Sequence, residues 1–126
     1  MAHVTLHNAA GYAQDIKARI HQLKSDEPES NGGKDTGPAP YELLLAALAS
    51  CTSLTLRMYA ERKGWAVENI EVALFLHGQG ETLSIERILT ITGTDAEQNA
   101  RLAEIAEKTP VTLTLKRGVP IATRLG

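Results

Sequence analysis

The stretch from Pro38 to Gly64 limits what this chain can fold into more than any other part. Ala39 precedes a proline, which disfavours helix there, and Pro40 is a natural first helical residue. Glu42 falls in the first turn, where a carboxylate offsets the positive end of the helix dipole. Arg57, Arg62 and Lys63 lie towards the negative end, and Gly64 fits a left-handed cap. The spacing therefore predicts one helix over 40–63, roughly 36 Å long. From Leu43 to Ala49 it is apolar on every face, which predicts a helix buried on all sides. A membrane span needs about 20 apolar residues in a row. Ser50, Thr52, Ser53, Thr55 and Arg57 break the run, so the helix is expected to stay in water, with no membrane partner.

The rest of the chain is expected to wrap this helix as a single domain over 1–126. Acidic and basic residues number 15 and 13. With the basic ones scattered and only five aromatics, nucleic acid is not an expected partner. The amino terminus lacks the basic-then-apolar pattern of a signal peptide. The one cysteine cannot form an internal disulfide or build a cysteine metal site. A reducing cytoplasm is the expected setting, and no cofactor is called for.

Before the helix, residues 3–8 alternate as a strand and Asn8–Gly11 reads as a turn. Tyr12 to Leu23 alternates again, predicting one antiparallel hairpin with a wet face. Lys24 to Gly37 reads as a long surface loop. After the helix, Ile70–His77 and Thr82–Thr92 predict a second hairpin. Its second strand places Leu83, Ile85, Leu89 and Ile91 in one row, with Arg87 an exception among them. Thr94 and Glu97 fit a capping box for a helix over about 95–108, with Leu102, Ile105 and Ala106 as its apolar stripe. By alternation alone, Val111 to Leu125 reads as a third hairpin, its last strand demoted to an edge by Pro120. Segregated strands and helices make the class α+β. A helix buried on all sides needs more cover than one small sheet gives, so a homodimer is expected.

Cys51 has two readings. A lone cysteine among Ala and Leu is usually a small buried hydrophobe. A reactive thiolate would instead need a nearby cation or amide dipoles. On its own helix the nearest base, Arg57, lies six positions on, so any activating group must come from elsewhere in the fold. Leu44, Ala47, Leu48, Thr55 and Met58 share its helical side. Glu42 stands nine residues earlier, about 180° around and roughly 13 Å away. It meets Cys51 only across two chains or a helix break, and otherwise serves its own helix terminus. His3 and His7 share a strand face, with His21 placed to oppose His7; these read as exposed residues and no metal site is expected. Lys17 and Arg19 read likewise as solvated strand-face charges.

The run Gly37-Pro-Ala-Pro-Tyr-Glu-Leu-Leu-Leu-Ala-Ala-Leu-Ala-Ser-Cys-Thr, followed by Arg57-Met-Tyr-Ala-Glu-Arg-Lys-Gly-Trp, resembles the OsmC/Ohr family. These are the osmotically inducible protein C and organic hydroperoxide resistance proteins. Asp26-Glu27-Pro28 and Ile105-Ala-Glu-Lys-Thr-Pro-Val match a subgroup of it. The resemblance implies an OsmC-like α+β fold, with antiparallel sheets wrapped around two central helices in an intertwined homodimer. It implies reduction of organic hydroperoxides by a thiolate that becomes a sulfenic acid, which a second cysteine condenses to a disulfide. Cys51 matches the peroxidatic cysteine. Where the family has Cys-Pro-Val, this chain has Thr109-Pro110-Val111, so the resolving thiol is missing and an external thiol reductant is implied. Tyr41 or Glu42 aligns with the family's supporting glutamate, Glu42 being the only carboxylate there, and Arg19 is the only arginine in the first hairpin. Around Cys51 the expected substrate pocket takes Tyr41, Leu48, Thr55 and Thr109. The family also implies a short helix over 111–116, and this is preferred to the third hairpin. A non-catalytic dimer that binds a small apolar or oxidised ligand is the rival reading.

Overall fold

A computed structural model describes residues 2–126, arranged as two compact units, one running to Leu44 and the other from Leu45 to Gly126. The first unit is a three-stranded antiparallel sheet in the order β1 (Thr5–His7), β2 (Gln14–Ala18) and β3 (His21–Ser25). The single strand expected over 12–23 is broken at Arg19–Ile20, because Arg19 takes a left-handed conformation at φ 57°. Two strands thus replace one, and Lys24 and Ser25 join β3 rather than the loop. His7 pairs with Asp15 and His21 with Ala18, so His7 and His21 are not opposite each other as expected.

The loop after β3 is tied down by Asp26, which is 2% exposed. One carboxylate oxygen accepts the Glu27 amide at 2.7 Å. The other accepts the Thr36 hydroxyl at 2.7 Å and the Thr36 amide at 3.1 Å. The Thr36 hydroxyl, with these amides, holds the Asp26 carboxyl below its ordinary range. Gly33 is required here, since a Cβ would sit 2.0 Å from the Glu27 carbonyl oxygen.

Helix α1 (Pro40–Lys63) has the predicted bounds. Glu42 closes its start by accepting the Ala39 amide at 2.8 Å. At its end, Gly64 at φ 71° sends its amide to Glu61 and Trp65 sends its own to Ala60, the bond pair of a Schellman motif. The helix is long and apolar enough, by length and composition, to cross a membrane. Within the chain it buries one stripe, formed by Leu48, Thr52, Leu56 and Ala60. Burial on all sides, expected from the sequence, does not hold within one chain. Leu54 and Met58 are 55% and 59% exposed.

The second unit packs this stripe against β4 (Asn69–His77), β5 (Ser84–Thr92) and α2 (Ala96–Ala106). β4 and β5 form an antiparallel pair in which Leu74 faces Arg87. Leu56, Leu102 and Ala106 are its centre, with Trp65, Val67, Ile70, Leu89 and Ile91 packed around them. The capping box of α2 lies one residue later than predicted. Asp95 accepts the Gln98 amide and the Gln98 side chain accepts the Asp95 amide, while the Thr94 hydroxyl is engaged by the Asn99 side chain instead. Pro110–Arg117 is a helix, α3, so the alternation-based hairpin over 111–125 is overturned. Thr109 caps α3, Pro110 is its first residue and Lys116 and Arg117 end it. These local signals outweigh five alternating residues.

Candidate active site around Cys51

Cys51 sits at the margin of the α1 stripe, half-buried, one residue before the fully buried Thr52. Its sulfur accepts a hydrogen bond from the Val111 amide at 3.5 Å. Val111 is the second residue of α3, so its N–H is among those a helix start leaves without an intrahelical acceptor. The sulfur thus meets a backbone amide at the positive end of another helix.

Thr109, in place of the family's second cysteine, is fully buried. Its hydroxyl oxygen accepts the Thr112 amide at 3.3 Å and lies 2.7 Å from the Thr112 hydroxyl. Thr112 spends its own proton on the Ala106 carbonyl at 3.2 Å, which leaves Thr109 as the donor between the two hydroxyls. Thr109 is thus a helix cap. It shapes the turn that presents Val111 and does not itself bond the sulfur.

The residue that sequence reasoning passed over is Arg87. Its side chain is 11% exposed. One terminal nitrogen, Nη1, donates to Thr52 Oγ1 and to Thr112 Oγ1, each at 3.0 Å. The other, Nη2, donates to the Ala106 carbonyl and to Glu107 Oε2, each at 2.9 Å. This fork joins β5 to α1, the end of α2 and α3. Lys116 and then Arg87 hold the Glu107 carboxyl below its ordinary range. The signal was in the sequence, as a charged residue in the inward row of β5. A charge in such a row is stable only with its donors satisfied.

The other expected site residues are placed as follows. Leu48 is buried on the stripe and Thr55 half-buried one turn beyond Cys51. Tyr41, 55% exposed, and Glu42 lie on the first turn of α1 within the first unit. Glu42 has the helix-terminal role that was its plainer reading. Arg19 lies exposed at the β2–β3 turn of that unit.

One long helix carrying a single half-buried thiol, backed by an antiparallel hairpin and two shorter helices, defines an α+β protein of OsmC-like architecture. The OsmC-like protein of Mycoplasma pneumoniae matches it with a TM-score of 0.80 at 18% identity, over 94% of this chain and 89% of that one. The organic hydroperoxide resistance protein OsmC of Legionella pneumophila gives 0.71 at 21% identity, over 94% and 90%. That of Elizabethkingia anophelis, which holds a crystallant-derived thiocyanate, gives 0.71 at 21%, over 94% and 89%. No curated protein sequence matches this one.

The sequence model of OsmC-like proteins matches residues 32–124, and the chain belongs to the OsmC family. With Cys51 its only cysteine, it stands with members that lack the second thiol.

Proposed function

We propose that this protein is a one-cysteine thiol peroxidase that reduces organic hydroperoxides. The observation that carries the reading is the Val111 amide directed at Cys51 Sγ. The nucleophile is the thiolate, and an N–H aimed at the sulfur fixes the direction in which that sulfur is held. The thiolate attacks the outer oxygen of ROOH and the O–O bond breaks. The alkoxide leaves and takes a proton to become ROH, and Cys51 becomes a sulfenic acid. Thr109 offers no sulfur, so a small external thiol attacks the sulfenic sulfur and releases water. A second such thiol frees Cys51 and departs as the mixed pair's disulfide. A reducing cytoplasm supplies that thiol.

The working form is a homodimer. Leu54 and Met58 on α1, and Leu6 and Leu23 on the first sheet, are roughly half exposed, and apolar side chains in such numbers favour a partner surface. In that dimer Arg19, or an equivalent cation, stabilises the thiolate, and Glu42 from the partner chain orients that cation. Leu48, Thr55 and Thr109 surround the substrate.

The test is intact mass after brief exposure to an organic hydroperoxide with a sulfenic-acid trap, beside a Cys51→Ser control. An adduct on the wild type alone, formed far faster than on a free thiol, is expected. An unmodified protein ends the catalytic reading and leaves the apolar-ligand dimer in its place.

A further inference from the structure

The Cys51–Val111 contact joins residues 60 positions apart. It holds only if α1 and α3 keep a fixed spacing. Arg87 grips the residue that follows each partner: Nη1 has two hydrogens, and the two bonds it makes go to Thr52, next to Cys51, and Thr112, next to Val111. Its Nη2 bonds anchor the fork on the Ala106 carbonyl and Glu107. Thr52 in turn donates to the Leu48 carbonyl at 2.7 Å and Thr112 to that of Ala106, so neither hydroxyl can swing away without losing a second bond.

We propose that Arg87 is the positioning residue of the site, a guanidinium clamp that sets the distance from the Val111 amide to the Cys51 sulfur. This deepens the peroxidase reading and rests on it for the reaction concerned. An apolar residue in the same row of β5 would cover the core without desolvating a charge. What Arg87 adds is geometry. Its planar fork fixes four bonds at set angles, whereas a lysine is a point charge with no such fork.

Two sets of variants test the clamp. Arg87→Met and Arg87→Lys remove the fork. Thr52→Val is nearly isosteric and removes one acceptor of the fork while leaving Arg87 and the α3 cap in place, so it decides the matter if the Arg87 variants do not fold. Thr112→Val also removes the bonds to Thr109 and Ala106 and serves only as a comparison. The readouts are hydrogen exchange of the Val111 amide by NMR, the rate of Cys51 alkylation across pH, and thermal unfolding. The clamp predicts that Val111 exchange speeds up and Cys51 alkylation slows, each roughly tenfold, at temperatures where the variant is fully folded. Arg87→Lys should not rescue either. A lower unfolding temperature with Val111 exchange and Cys51 alkylation unchanged would overturn the proposal and leave Arg87 a structural tie. Alkylation and exchange need no hydroperoxide. A wild type inert to hydroperoxide would therefore remove the peroxidase reading while these two readouts still decide on the clamp.

Discussion

Thr109 and Thr112 are joined hydroxyl to hydroxyl at 2.7 Å beneath the turn that carries Val111 to the sulfur of Cys51. The residue that stands where the family keeps a second thiol is therefore occupied in building the start of α3. Its loss should act on the helix before it acts on the chemistry.

Thr109→Ala is expected to cost about 1 kcal/mol, the usual worth of a helix cap. It should also slow Cys51 alkylation, because the Val111 amide is no longer held. Thr109→Cys is expected to lose part of the same stability, since a thiol accepts hydrogen bonds weakly. After hydroperoxide treatment it should form a bond to Cys51 that costs the protein two hydrogens in mass and reopens with dithiol. Unfolding curves and intact mass check both. A Thr109→Ala protein as stable as wild type would remove the capping role.

The long helix, both strands of the second hairpin and α2 were legible because each carries several agreeing signals. Pro40, Glu42 and Gly64 mark α1, and nine-residue alternation marks β4 and β5. The break at Arg19 was hidden because alternation carries across a tight turn, and arginine is not a residue that advertises positive φ. Pattern alone hid α3, because Val111–Leu115 alternates in size and polarity while the cap that decides its fate is one threonine; the resemblance is what pointed to a helix there. Of the site, Cys51 was legible by chemistry and resemblance. Arg87 was seen only as an irregularity in a row, because its partners come from positions 52, 106, 107 and 112 and no local pattern joins them.

Leu56 is fully buried between α1 and α2, in contact with the Leu102 and Ala106 cluster. Leu56→Ala should destabilise the protein by about 2–5 kcal/mol, from lost transfer energy and the cavity left behind. Denaturant unfolding measures this. A cost below that of the Thr109 cap would mean that the core lies elsewhere.

Glu107 accepts from Lys116 at 3.1 Å and from Arg87 at 2.9 Å, and these hold its carboxyl below the ordinary range. A carboxyl lowered on folding adds stability that is present above its unfolded value, near 4.3, and lost as pH falls through the folded one. Its side chain is 61% exposed, so the contribution is about 0.5 kcal/mol or less after solvent screening. Wild type should thus exceed Glu107→Gln in stability at neutral pH, with the gap closing below the carboxylate range. A gap that stays constant through acid titration would place the effect in packing, not in charge.

Leu54 and Met58 project from α1 away from the stripe of Leu48, Thr52, Leu56 and Ala60, and more than half of each is open. If a second copy covers this face, a carboxylate placed on it must be desolvated against apolar side chains, which is costly without a partner charge. In a lone chain the same carboxylate stays in water and costs little. Leu54→Glu and Met58→Glu should therefore convert a dimer to a monomer in sedimentation while the circular dichroism of the chain is retained. Because Glu42 would then have no second chain to serve, hydroperoxide-driven sulfenate formation should fall along with the dimer fraction, while Cys51 remains reachable by small alkylating agents. A wild type that sediments as a monomer at working concentration would remove the dimer. It would also remove the cross-chain role of Glu42, while the Val111 amide contact to the cysteine would stay within the chain.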